Sequence, residues 1–235
     1  MHIHIPDGVF PSWLWISGIL ILLPIISLAI YIVRKDSKRL VITSATTALM
    51  LLVFSIEILG YHLNFTALSG MILGPWWSLL SITTVNVFLA LFGHGGITVA
   101  PINILVNWSE SLAAFLVFRF LLSKIKNIDL KSALSGVTVF LSLTLSFIFF
   151  LGIIALTGIN PALQLEHDHD EDAGADHDEH AVNHDEEHSQ HVEHVPLVEF
   201  AAISIIPLLL SGIIESILTS FMVIFISRVK PKLLR

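Results

Sequence analysis

The sequence predicts an all-α fold, a polytopic membrane helix bundle of about seven transmembrane segments in which one pair is short and broken. Three observations predict it. Hydrophobic residues make up 54% of the 235-residue chain and charged residues only 13%, whereas roughly a quarter of a soluble domain is charged. The apolar residues gather into runs close to the ~20 residues that a helix needs to cross a hydrocarbon core, and the mean hydropathy reaches +0.83. All twelve Lys and Arg fall in four places, residues 34–39, 119–126, residue 131 and residues 228–235, at the ends of those runs.

The absence of cysteine excludes disulfide frameworks, thiolate metal sites and cysteine nucleophiles together, so any metal must be held by nitrogen or oxygen. The net charge of −7 comes from one stretch. Residues 166–194 carry twelve Asp and Glu and no Lys or Arg, which leaves twelve basic against seven acidic residues elsewhere.

Taken in order, residues 1–12 lack the positive start of a secretory signal, and no small-residue cleavage site follows the first apolar run, so Met1 is expected to be the mature terminus. Residues 13–33 make the first span, anchored by Arg34, Lys35, Lys38 and Arg39. Residues 40–59 make the second, and His62 lies just past its end. Residues 63–92 are too long for one span and are interrupted by Gly74-Pro75-Trp76-Trp77, where proline removes an amide donor. They predict a short segment over 64–73 and a fuller one over 77–92. Pro101 opens a span to about residue 122, another runs over 133–159, and the last over 197–227. The chain thus divides into an N-terminal segment (1–12), a membrane bundle (13–165), a His/Asp/Glu-rich loop (166–194), and a last helix with a basic tail (195–235).

Basic residues in short loops orient membrane spans. With the N-terminus outside, seven crossings put every Lys and Arg on the cytoplasmic side; merging residues 63–92 into one span would not. The same count brings Met1, His2, His4, His62, His94 and the acidic loop to the outer face of the plasma membrane, with the C-terminus in the cytoplasm.

Those residues are the candidate ligands. A terminal amine, the deprotonated amide of residue 2 and the imidazole of His2 can form fused chelate rings in one plane, leaving a fourth position for another nitrogen. Square-planar nitrogen coordination points to Ni(II) or Cu(II) rather than Zn(II) or Mg(II). Histidine in or beside a span is costly and faces a cavity or a partner, which makes His62 the candidate fourth donor; an interfacial histidine is the plainer reading. His94 sits among glycines and reads first as a turn residue. Asn103, Asn107 and Glu110 head a span, where helix capping and support of a metal site are equally served. Glu57, Glu199 and Glu215 lie in or near spans, as partners for a ligand histidine or as interfacial groups. The loop histidines His167, His169, His177, His180, His184, His188, His191 and His194 suit low-affinity capture of divalent cations, against the alternative of a purely solubilising loop. Ser44 and Ala48, four apart, allow close helix approach. No Walker-type run occurs, so ATP is not bound by that route.

The segments His4-Ile5-Pro6-Asp7-Gly8, His62 followed by Leu73-Gly74-Pro75-Trp76, and Leu91-Phe92-Gly93-His94-Gly95-Gly96-Ile97-Thr98 with Asn103 resemble the CbiM/NikM family. These are the cobalt- and nickel-binding membrane components of energy-coupling-factor ABC transporters. The motifs cover residues 1 to about 110; beyond that only hydropathy agrees. The resemblance implies a component that does no covalent chemistry and needs no organic cofactor, and that binds Ni(II) or Co(II) as transported substrate. Met1, the main-chain nitrogen and imidazole of His2, and His62 would be the ligands. It also implies partners: a membrane coupling subunit, cytoplasmic ATPases and often a small accessory membrane subunit, together with the lipid bilayer around this chain and no nucleic acid. Nickel-type members begin Met-His-Ile-Pro-Asp-Gly, so alignment on Pro6-Asp7-Gly8 puts His4 in the ligand's register, while adjacency to the amine favours His2. His94, Asp7 and Asn103 are candidates for the metal's shell or the layer of groups behind it. A competing reading is an ion-coupled divalent metal transporter or exporter with a His-rich metal-sensing loop, although paired His and Asp ligands within spans are missing. An intramembrane metalloprotease is disfavoured because no His-Glu-x-x-His occurs.

Overall fold

The structure is a computed structural model that describes residues 10–54, 56–58, 61–93, 96–158 and 196–234. In chain order it runs α1 (Ser12–Val33), α2 (Leu40–Phe54), β1 (Glu57–Ile58), β2 (Tyr61–His62), α3 (Thr66–Leu73), α4 (Pro75–Leu91), α5 (Ala100–Phe120), α6 (Ile128–Thr157) and α7 (Leu197–Val229). The predicted all-α bundle is present, and β1 and β2 are two-residue strands forming one antiparallel pair. Among the described residues, four helices can cross a membrane by length and composition: α1, α5 with the short turn extending it to Lys124, α6 and α7.

Burial is distributed as a bilayer requires. Leu20, Leu23, Leu141, Ile148, Ile206 and Phe221 point outward, each more than half exposed on a helix face that water would not favour. Polar side chains turn inward: Asn103, Asn107, Glu110 and Ser111 on α5, Ser135, Thr138, Ser142 and Ser146 on α6, and Ser204, Ser211, Glu215 and Thr219 on α7 are all buried. Their spacing of mostly three or four residues puts each set along one side of its helix.

Several boundaries differ from the sequence reading for local reasons. The second span stops at Phe54 rather than residue 59, because the chain folds into the β1–β2 hairpin. α6 begins at Ile128 rather than 133. The Asn127 side chain accepts hydrogen bonds from the Asp129 and Leu130 amides at 2.9 and 3.2 Å and starts the helix before the apolar run does. Lys131 is accommodated in that first part of α6 with its ammonium 5.2 Å from the centroid of the Phe118 ring.

The broken region resolves into a composite crossing. α2 has 15 residues, so it is about 22 Å long. The eight residues of α3 give only about 12 Å, and residues 63–65, in extended or irregular backbone, supply up to about 10 Å more. Arg39, just before α2, donates from Nη1 to the carbonyl of Leu73 at the end of α3 at 3.3 Å. Residues 63–73 therefore run back along the length of α2, and the chain turns at Gly74, whose φ of +78° suits glycine. Pro75 then occupies the first turn of α4, where a missing amide costs nothing. Trp108 of α5 ties the turn down by donating to the Pro75 carbonyl at 3.0 Å.

α3 packs closely on α5 because Gly70 has no side chain: a Cβ there would meet the backbone carbonyl and hydroxyl of Ser111. Gly70→Ala is expected to destabilise the protein by about 1–3 kcal/mol through overpacking, read as a lowered thermal midpoint in detergent with helix content retained.

Candidate metal-binding region around His62

Phe54 closes α2, the amide of Ile56 bonds back to the Val53 carbonyl at 2.9 Å, and the amide of Leu63 to the Ile56 carbonyl at 3.2 Å. In the hairpin Glu57 stands opposite His62. This short reversal lays the His62 imidazole on the Phe54 ring, with centroids 4.6 Å apart and planes within 9°. Nδ1 of His62 lies 2.8 Å from the Phe54 carbonyl oxygen. A carbonyl can only accept, so the ring donates from Nδ1 and the lone pair belongs to Nε2. Fixing one ring nitrogen by a hydrogen bond while the other keeps its lone pair is how proteins present histidine to a metal. His62 is half-buried, and β2 packs against α7.

The three residues that follow carry the chain into the core. Leu63, Asn64 and Phe65 are each at most 4% exposed. Asn64 Oδ1 accepts the Thr66 amide at 2.9 Å, and Phe65 takes the left-handed conformation, φ 53°, uncommon for a residue with a bulky side chain. Seating its ring in the core holds that backbone. The backbones of Asn64 and Phe65 face the carboxylate of Glu215, which is also within electrostatic range of Glu110.

Of the candidate ligands, His62 and Asn103 are described. Asn103 lies in the first turn of α5, buried on the inward side with Asn107 and Glu110. Met1, His2, His4, Asp7, His94 and the loop histidines His167 to His194 lie outside the described residues. Among the described residues no three His, Asp or Glu side chains gather into a ready-made metal site. A cavity of about 420 Å³ opens at the opposite end of α2, lined mostly by apolar side chains with Asp36, Arg39 and Arg119 among them; its place puts it apart from His62.

Sequence reasoning did not reach the Phe54 carbonyl or the role of Asn64. The carbonyl has no sequence signature. Asn64, two residues before a short helix, matches an Asx turn, and that signal was available.

The comparison with known families decides the lineage. The family described as "Cobalt uptake substrate-specific transmembrane region" matches residues 4–233. The chain belongs to the CbiM family. This is a family of transporter components rather than of enzymes, and the described helices accord with a multi-pass membrane protein. No curated protein matches the chain. Two solved structures have a similar fold. "Crystal Structure of an transition metal transporter" is 21% identical with a TM-score of 0.66, over 96% of this chain and 93% of that one. "Crystal Structure of an Truncated Transition metal Transporter" is 20% identical with a TM-score of 0.67, over 96% of this chain and 98% of that one. At these identities the likeness concerns the fold. It extends over α6 and α7 as well, where the sequence motifs are silent.

In this CbiM-family chain, Asn64→Ala would leave the Thr66 amide unpaired in the core. The expected cost is about 1 kcal/mol, seen as a lower thermal midpoint, and hydrogen exchange should quicken at α3 before it does at α5.

Proposed function

We propose that this chain is the substrate-binding membrane component of an ATP-driven energy-coupling-factor transporter that takes up Ni(II) or Co(II). The observation that carries the reading is the presentation of His62: its Nδ1 is anchored on the Phe54 carbonyl at 2.8 Å and its Nε2 lone pair is oriented by the stacked Phe54 ring. One imidazole does not hold a divalent cation tightly. The remaining donors are assigned to the Met1 amine, the amide and imidazole of His2, and His4 as an added or replacing ligand, with His94, Asp7 and Asn103 around them. Planar nitrogen coordination favours Ni(II) over Co(II).

In this reading residues 1–12 form a metal-binding segment on the outer side. Residues 166–194 form an outer loop whose histidines raise the local metal concentration. The C-terminal basic tail is cytoplasmic. The chain has no Walker-type nucleotide motif, so energy comes from cytoplasmic ATPases through a membrane coupling subunit, with a small accessory membrane subunit as a further partner.

Acetylating the Met1 amine, or the His62→Ala change, should each weaken Ni(II) and Co(II) binding more than roughly 100-fold, since even supporting residues of metal sites cost 10–100-fold. Titration calorimetry on the purified chain measures this, and the metal that copurifies reports the cargo. Wild-type affinity in both altered forms would sink the ligand set.

The orientation has its own test, made clean by the absence of native cysteine. In intact cells a membrane-impermeant maleimide should label Ala173→Cys and spare Ser37→Cys. The opposite pattern would favour an exporter with a cytoplasmic sensing loop.

A further inference from the structure

The cavity at the end of α2 away from His62 has no part in the metal-binding reading. It holds about 420 Å³, and five parts of the chain meet around it: the end of α1, the start of α2, the turn from α3 into α4, the end of α5, and Leu233 beyond α7. Its wall has two kinds of surface. Most of it is apolar, with Ile32, Ile42, Ile72 and Phe115 contributing, while Arg39, Arg119 and Asp36 bring charge, all three exposed. Arg39 is already engaged in part, its Nε pairing with Asp36 at 3.0 Å and its Nη1 donating to the Leu73 carbonyl at 3.3 Å. A guanidinium has further donors beyond those two. Arg119 forms no ion pair with a described carboxylate. Two guanidiniums against one carboxylate leave the wall net positive.

The position of the cavity matches that chemistry. Every described Lys and Arg lies at this end of the bundle, where α1, α5 and α7 finish and α2 and α6 start, and Trp76 and Trp77 stand in the cavity wall. Basic residues and tryptophan gather at the headgroup level of a bilayer. The start of α4 has no side-chain cap, so the positive end of its dipole adds to the same wall. A small anion would use the charges but not the apolar wall, and a neutral apolar molecule would use the wall but not the charges. A phospholipid uses both: arginine forks match phosphate oxygens, and basic pockets between membrane helices hold anionic headgroups.

We propose that this cavity binds one anionic phospholipid, its phosphate between Arg39 and Arg119 and an acyl chain against Ile32, Ile72 and Phe115. The inference rests on the membrane bundle alone and stands apart from the metal-binding reading. A lipid seated there touches the start of α2, the turn into α4 and the end of α5 at once, so it braces the composite crossing from the end opposite His62. Asp36 competes with the phosphate for Arg39 and sets how strongly the site favours a charged headgroup.

The test titrates the full chain in a neutral detergent with phosphatidylglycerol or phosphatidylcholine of the same acyl chains, and counts bound lipids by native mass spectrometry. The first phosphatidylglycerol should bind about tenfold more tightly than phosphatidylcholine, given that each basic residue near an anionic headgroup is worth about fivefold. Arg119→Gln should remove about one such factor of fivefold and leave the lipid-free thermal midpoint unchanged, because its side chain is exposed. Arg119→Lys should keep most of the affinity, and Asp36→Asn should tighten it. The exposed Lys126, outside the cavity, serves as the control, and Lys126→Gln should bind like wild type. Equal binding of the two lipids overturns the proposal. So does a loss in Lys126→Gln as large as in Arg119→Gln, which marks attraction to the basic end at large. Displacement of the lipid by excess inorganic phosphate overturns it in favour of a small-anion site, and failure of either lipid to bind above the detergent background leaves the cavity to a protein partner.

Discussion

A backbone amide or carbonyl inside a bilayer has no water to turn to, and the described segment that departs from regular helix between α2 and α4 is shaped by the need to pair such groups within the protein. The composite crossing is where the constraint bites hardest. Residues 63–65 leave the helical ladder and are held inside the bundle, each at most 4% exposed. Their polar groups are taken up one at a time. The Leu63 amide goes to the Ile56 carbonyl and the Phe65 carbonyl receives the Ser69 amide. The Asn64 side chain takes the Thr66 amide. At the far end Arg39 takes the Leu73 carbonyl and Trp108 the Pro75 carbonyl. Non-helical backbone of this kind is tolerated where it is buried in protein or lines a cavity.

The same break has a functional consequence. A continuous helix from residue 55 to 73 would direct side chains outward along a cylinder and could not fold a histidine back onto the end of α2. The β1–β2 reversal does that: it brings the His62 ring onto Phe54 and its Nδ1 onto the Phe54 carbonyl. After that turn, Gly70 lets α3 lie against α5 at Ser111. Local strain, visible at Phe65, is absorbed by seating its ring in the core.

The bundle's polarity is inverted relative to a soluble protein, with large apolar side chains outside and hydroxyl, amide and carboxyl groups along the inner sides of α5, α6 and α7. Many of the hydroxyls are spent locally, as when Ser135 bonds to the Lys131 carbonyl at 2.8 Å. Others hold helices together, as in the reciprocal pair in which Ser132 donates to the Ser220 carbonyl at 2.7 Å and Ser220 to that of Ser132 at 3.1 Å. Glu215 belongs to neither group: its carboxylate faces the backbone of Asn64 and Phe65.

The sequence by itself determined the class of the protein and its punctuation. Apolar run length set the number of helices, Gly74-Pro75 the break and the motifs before residue 110 the family, because these depend on local chemistry and hydrophobic period. It placed His62 at the end of a span but could not say which nitrogen is held or by what. Only the tertiary structure decided that α2 stops at Phe54, that residues 63–73 run back along α2 in two conformations, and that Glu110 and Glu215 are both buried inside the bundle. Those features arise from contacts between residues far apart in the chain, and from a main-chain carbonyl, which every residue possesses and no sequence marks.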